Sequence, residues 1–210
     1  MIFLDRKEAG ERLAHELGKL TLVAPIVLAL PRGGVPVGNA AARVLGCPLD
    51  VIPLMKIPIP WSAEASYGVV AMDGTIALNR PLVNRLELSD RELEIVTRIV
   101  HQEAGRREQL YRRGKPYPGL ANRTVIIIDD GIASGYSMLA AVNFVKKRGY
   151  QSLIVATPVA SDIAVRMLAA DDSSYKIITL VRDQETVFSL ADYYRAFPVL
   201  TDKDVIRELA

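Results

Sequence analysis

The sequence holds one cysteine, Cys47, and two histidines, His15 and His101, in 210 residues. A single thiol excludes a disulfide framework and every cysteine-based zinc site, and two histidines exclude a histidine-rich metal centre. A surplus of one charge is missing too. Lys+Arg number 26 against 24 Asp+Glu, a formal net charge of +2. So neutral a chain argues against bulk nucleic-acid binding. No apolar run is long enough to cross a membrane; the longest, Leu20 to Leu30, is about half of the ~20 residues required. Asp5, Arg6, Lys7 and Glu8 follow the apolar Ile2-Phe3-Leu4, the reverse of a signal peptide, so a cytoplasmic location is expected. Internal repeats, low-complexity tracts and long linkers are absent. What is abundant is apolar side chains, 50% of the residues, enough for the core of a single domain.

Apolar runs alternate with amphipathic stretches. Asp5 and Glu8 pair as a cap for a first helix ending near Gly18. Pro25 to Leu30 reads as a buried strand. A helix with small residues at 39–42 follows Arg32-Gly33-Gly34 and stops at Gly46. Asp50 to Ile57 reads as one strand. Met72-Asp73-Gly74 between Tyr67–Ala71 and Thr75–Leu78 is a hairpin signal. Ser89 and Glu92 form a capping box that opens a long charged helix to about Arg113. Val125–Ile128, Ser152–Thr157 and Lys176–Val181 read as strands. Ser134–Arg148 and Ser161–Ala170 read as helices, and a short one begins at Thr201. Strands alternating with helices imply an α/β fold, a parallel sheet with helices on both faces. Ligands bind such sheets at the carboxyl ends of their strands. The loops to inspect are therefore 31–34, 56–67, 129–137, 158–162 and 182–184.

One stretch carries the chemistry: Val125-Ile126-Ile127-Ile128-Asp129-Asp130-Gly131-Ile132-Ala133-Ser134-Gly135-Tyr136-Ser137. Four apolar residues run into two adjacent carboxylates, which repel each other and so point to a ligand rather than to stability. A loop of small residues then reaches a helix start, where backbone N–H groups and hydroxyls attract anions. Acids beside an anion cradle suit a sugar phosphate. The spacing is neither a Walker A loop nor G-x-G-x-x-G.

Val125–Ser137 closely resembles the phosphoribosyl pyrophosphate (PRPP) signature of the type I phosphoribosyltransferases. The resemblance extends over most of the chain, toward an uncharacterised bacterial and archaeal branch. It implies a single domain over 1–210, with a core over about 1–181, a β-hairpin and flexible loop, and a small C-terminal hood from about 182. It implies that Asp129 and Asp130 hold the ribose hydroxyls and that Ala133, Ser134, Gly135, Tyr136 and Ser137 wrap the 5′-phosphate. Arg32, Gly33 and Gly34 stand where the family binds pyrophosphate. Lys56 and Glu64 fall near its mobile loop and are candidate catalytic residues, with Tyr67 and Trp61 beside them. The implied cofactor is Mg2+, reached by Asp129 and Asp130 through water. The implied partners are PRPP, a small nitrogenous acceptor and a second copy of the chain. The implied reaction transfers the phosphoribosyl group to the acceptor and releases pyrophosphate; the rival reading is a regulator that senses PRPP or a nucleotide without turnover.

In the hypoxanthine–guanine branch the third residue after the second acid is an Asp that exchanges a proton with the purine; here it is Ala133. The resemblance therefore places adenine or a non-purine acceptor ahead of the 6-oxopurines. The helix from Ser89 is read first as a salt-bridged solvated helix. In a second reading Arg106, Arg107, Arg112 and Arg113 face an anionic ligand, a subunit or RNA, with Tyr111 able to stack on a base. His15 and His101 are expected at the surface or an interface, and Cys47 is expected to pack as a small hydrophobe.

Overall fold

The computed structural model describes residues 2–59, 61–185 and 187–210, with the backbone alone at 62–64. Five strands, β1 (Ile26–Ala29), β2 (Leu49–Val51), β6 (Thr124–Ile128), β7 (Ser152–Ser161) and β8 (Lys176–Asp183), form a sheet ordered β2-β1-β6-β7-β8. All of its pairings are parallel. Every residue of β1 and β6 is buried, because helices cover both faces. The period of two divides the core. Val27, Ile126 and Ile128 face α1 (Arg6–Leu17) and α2 (Gly34–Leu45), packing on Leu13, Leu17 and Val37. Leu28, Val125 and Ile127 face the other way, onto Met138, Val142 and Phe144 of α5 (Tyr136–Lys146) and Leu168 of α6 (Asp162–Asp171).

A second, antiparallel sheet of three strands, β3 (Leu54–Ile59), β4 (Ser62–Ala71) and β5 (Ile76–Leu78), packs with α3 (Arg80–Arg85) and α4 (Asp90–Arg112) around Ile57, Tyr67, Val70, Val83 and Val100. The expected hairpin at Met72–Gly74 joins β4 to β5. Gly74 takes φ +80°, where a Cβ would be strained, and the Asp73 carboxylate accepts the Thr75 N–H.

The single strand expected over Asp50–Ile57 is two. Residues 52–53 break it, so that β2 belongs to the parallel sheet and β3 to the antiparallel one. Pro53 lacks the N–H that a continuous ladder would need. The expected loop over 56–67 is built instead from β3 and the start of β4, with register shifts near Pro58. β7 runs through the expected loop at 158–162; its pairing with β6 ends at Ala156, so Pro158 interrupts no bond on that side. β8 likewise continues to Asp183.

After β8 the chain turns through a short 3-10 helix at Leu190–Tyr193 and ends in α7 (Asp202–Glu208), capped by Thr201. The two ends of the chain meet. Phe3 pairs with Tyr194 as a parallel bridge, and Phe3, Val159 and Tyr194 share a cluster with Phe188 and Phe197. The segment expected as a hood is thus stitched to the N-terminal residues. No described helix is long and apolar enough to cross a membrane.

Candidate active site

The chain leaves β1 toward β2 on one side and β6 toward β7 on the other. The carboxyl ends of β1 and β6 therefore flank the point where strand order reverses, the usual binding crevice of such sheets. The Leu30 N–H donates to the Ile128 carbonyl at 2.8 Å, which sets the Pro31–Gly34 turn against Asp129 and Asp130. The approach is close enough to require glycine. A Cβ on Gly33 would overlap the Asp130 carboxylate, and one on Gly34 would lie 2.7 Å from the Ile128 carbonyl oxygen. The Pro31–Arg32 peptide is cis.

Two adjoining cavities open here, sharing Lys56 and Asp130. The smaller, about 240 Å3, is lined by Asp129 through Gly135 with Ser137, Met138, Lys56 and Leu190. The long β7 shapes it. Ile132 donates to the Val159 carbonyl and accepts from the Ser161 N–H, both at 2.9 Å, and the Ser161 hydroxyl donates to the Ala133 carbonyl. The loop is held by its carbonyl side. Among the described residues, no hydrogen bond uses the backbone N–H groups of Ala133 to Ser137 or the hydroxyls of Ser134 and Ser137. Ala133 and Ser134 are exposed, and Gly135 takes φ +84° to turn the chain into α5. The result is an arc of free donors at a helix N-terminus.

The two acids differ. Asp130 is buried, and its carboxylate accepts from the Arg6 guanidinium at 2.8 Å. Arg6 also donates to the Pro198 carbonyl at 2.9 Å and lies 3.8 Å over the Phe197 ring; the Tyr194 hydroxyl donates to the Asp130 carbonyl. The expectation that both acids stand uncompensated is therefore corrected: the charge of Asp130 is matched inside the protein. Asp129 is half-buried, and its carboxylate accepts the Asp130 N–H at 2.9 Å and has no cationic partner within hydrogen-bonding reach among the described residues. Burial, then the charge of Asp130, push its carboxyl well above the usual carboxylate range, while Lys56 pulls it back.

The larger cavity, about 670 Å3, is lined by Arg6, Arg32, Lys56 and Arg107 around Asp130, with Phe197 to Leu200 and Leu54 as its apolar walls. Arg32 is exposed and lies 3.7 Å from Asp202, and Lys56 is exposed in the middle of β3 rather than at a strand end.

Asp129, Asp130, Arg32, Gly33, Lys56, Ala133, Ser134, Gly135 and Ser137 thus line one connected crevice. Gly34 lies behind it in the first turn of α2, where it gives the room for the two chains to approach. The Tyr136 ring turns away, packing with Val69 and Ala77, so only its backbone faces the loop. Tyr67 is fully buried beneath α3 and α4, remote from the crevice, and Trp61 is 66% exposed. The Glu64 side chain lies outside the described residues. Arg112 is structural: buried, it bonds Asp50 and Glu108 and lies 3.4 Å over the Tyr117 ring. His15 is exposed, as expected, whereas His101 is half-buried against the Met72 carbonyl.

A family model for the phosphoribosyl transferase domain matches residues 71–195. The protein TT1426 of Thermus thermophilus is 37% identical in sequence, and its crystal structure superposes with a TM-score of 0.81 over 100% of this chain and 98% of that one. The chain belongs to the phosphoribosyl transferase domain family. This phosphoribosyl transferase domain is also 33% identical over 207 residues to a Mycobacterium tuberculosis protein named "Putative phosphoribosyl transferase", of which it spans 46%, about half the length. A purine phosphoribosyltransferase of Pyrococcus horikoshii, 16% identical, shares the fold at a TM-score of 0.51 over 95% of this chain and 97% of that one.

Arg6 is a member of the domain's crevice that the sequence reading did not place; Arg107 was read there only as one of four arginines that could face an anion, and Phe197 as part of the hood. For Arg6 a signal existed. It is the first residue of α1, where a cation opposes the helix dipole and needs an anion elsewhere.

Proposed function

We propose that this chain is a phosphoribosyltransferase: it binds PRPP in the crevice and transfers the phosphoribosyl group to a nitrogen of a small acceptor, releasing pyrophosphate. One observation carries the reading. The free-donor arc of 133–137 and the acid pair open into the same crevice, as a 5′-phosphate and a ribose require.

In this reading the amides of Ala133 to Ser137 and the Ser137 hydroxyl take the 5′-phosphate. Asp129 and Asp130 accept bonds from the ribose hydroxyls. For Asp130 this means sharing its carboxylate with Arg6 or releasing it. Arg32, Lys56 and the backbone of Gly33 face the pyrophosphate. As the anomeric C–O bond breaks, the electron pair leaves with pyrophosphate and the acceptor nitrogen's lone pair forms the new C–N bond. Fixed cations at the leaving group and carboxylates near the electron-poor ring lower that barrier by positioning and electrostatics.

The donor set fits Mg2+. The acids of the crevice offer hard oxygen ligands, and among the described residues no group of three or more His, Cys, Asp or Glu forms a closed cage. Asp129, with Asp130 through water, would hold the ion against ligand oxygens. Bound there, Mg2+ supplies charge neutralisation to the pyrophosphate.

The acceptor reading follows from Ala133, which lines the smaller cavity and offers no titratable group. Hypoxanthine and guanine, which need a general acid/base at that point, are expected to react weakly or not at all, a deficit of about 10²–10⁴-fold. The test is a panel of bases with PRPP and Mg2+, followed by pyrophosphate release. Release with adenine or a non-purine acceptor supports the proposal. PRPP binding without release across the panel would leave the sensing alternative standing, and efficient guanine turnover would overturn the argument from Ala133.

A further inference from the structure

The larger cavity presents four cationic side chains, Arg6, Arg32, Lys56 and Arg107, and one carboxylate, Asp130. They come from four separate segments: α1, the turn after β1, β3 and α4. Arg6 is spent on Asp130. Arg32 and Lys56 are already placed at the pyrophosphate in the reading above. Arg107 is not.

Arg107 is held by one weak bond. Its Nε donates to a Glu103 oxygen at 3.4 Å. The same carboxylate accepts two bonds of 2.7 Å from Arg106, a paired grip on both of its oxygens. Arg106 turns out to solvent, its side chain 57% exposed, whereas that of Arg107 is 21% exposed and lies on the cavity wall. One negative charge thus serves two guanidiniums, and the better-matched one faces water. Arg107 keeps its positive charge, partly desolvated, with most of its donors unused.

Arg32 repeats the pattern. Asp202, its nearest carboxylate, accepts a 2.6 Å bond from the Tyr111 hydroxyl and approaches Arg32 only at 3.7 Å. Both arginines line the same cavity wall, and both act on the Tyr111 phenol electrostatically, opposing the rise that burial imposes on its pKa. Two half-tethered guanidiniums that face one cavity make a receptor for an oxyanion larger than either could hold alone.

We propose that Arg107 is a further binding residue for the pyrophosphate end of PRPP, closing from α4 the site that Arg32 and Gly33 open from the β1 turn. The assignment rests on the phosphoribosyltransferase reading and deepens it. Glu103 then acts as a positioning residue that aims Arg107 without neutralising it.

The test compares Arg107→Ala, Arg107→Lys, Arg106→Ala and the control Arg98→Ala, whose exposed partner is Glu94 and which should bind all three ligands like the parent, each checked for folding by circular dichroism. Binding of PRPP, inorganic pyrophosphate and ribose 5-phosphate is measured by calorimetry with Mg2+. Arg107→Ala should weaken PRPP and pyrophosphate by about tenfold or more and leave ribose 5-phosphate within about twofold. Arg107→Lys should recover part of the loss, because it restores charge without the fork. Arg106→Ala frees Glu103 to pair fully with Arg107 and should weaken PRPP and pyrophosphate, less than Arg107→Ala does, while leaving ribose 5-phosphate unchanged. Unchanged PRPP and pyrophosphate affinity in folded Arg107→Ala would overturn the proposal, as would an equal loss for ribose 5-phosphate. If the parent binds PRPP and only an acidic acceptor weakens, Arg107 belongs to the acceptor and this assignment fails alone. If the parent binds neither PRPP nor pyrophosphate, the reading beneath it fails too.

Discussion

The two cavities beside the acid pair are built in opposite ways. The smaller is nearly one continuous stretch, 129–138, whose hydrogen-bonding groups are backbone amides and two hydroxyls left free by a loop anchored through its carbonyls. The larger is assembled from six separate stretches of chain and works through long charged side chains, three of which, Arg6, Arg32 and Arg107, already lean on a carboxylate. A contiguous site is preformed wherever its local fold forms. An assembled site depends on distant packing and on how its own charges are balanced before any ligand arrives. Substitutions at the first should therefore cost binding with little stability, and at the second both together.

The sharpest contrast lies within the acid pair: Asp129 lines the smaller cavity alone, Asp130 both. Asp130→Asn removes the charge that Arg6 is buried against. It should lose about 3 kcal/mol of stability, the usual cost of breaking a buried pair from one side, along with PRPP binding. Arg6→Met in the same background should recover much of that stability, in urea melts, by removing the stranded charge. If Asp130→Asn leaves the melt unchanged, the two cavities do not differ in the way described.

Gly33→Ala comes next. The added methyl meets the Asp130 carboxylate and should cost about 1–3 kcal/mol while displacing Asp130 from Arg6. A thermal melt combined with PRPP titration reads both effects. Ser137→Ala tests the contiguous side. It should weaken ribose 5-phosphate binding by about tenfold with a melting temperature unchanged within error, since that hydroxyl has no partner among the described residues.

Asp129→Asn should give the smallest effect, in the opposite direction. Its carboxyl is raised in the folded state by burial and by Asp130. A raised carboxyl is favoured protonated in the fold, so its contribution is fully present below about pH 4 and is lost as pH climbs through the folded value. Asparagine removes that loss. The variant should gain about 1 kcal/mol at neutral pH, about 2–4 °C in melting temperature, with a flatter pH dependence above about pH 4. PRPP binding should nonetheless fall. A destabilised Asp129→Asn would show that this carboxylate is compensated after all.

This division also explains what the sequence disclosed. Val125–Ser137 could be read directly because strand, acids, loop and helix start are consecutive, and short-range rules govern each step. The caps at Asp5 and Ser89 and the helix starts at Ser161 and Thr201 were legible for the same reason. The role of Arg6 was not, since its carboxylate is 124 residues away along the chain and no local pattern joins them. Arg107 was noticed only as one of several arginines; that it shares Glu103 with Arg106 takes side-chain geometry to see. The division of 50–57 between two sheets was within reach. Pro53 marked it, but the apolar run on either side outweighed the missing N–H.

The joining of residues 3–4 to residues 193–196 puts a clock on the site. On the ribosome the phosphate loop can take shape once β7 has emerged, whereas Arg6 must wait for Pro198, 192 positions later. At about 5–20 residues per second that wait is about 10–40 s. From the end of β7 at Ser161 to Pro198, about 2–7 s at the same rate, a nascent chain can own its anion cradle, with Asp130 still unpaired and the cationic chamber unformed. The contacts that complete the crevice are thus the ones of longest sequence separation, and they should form last.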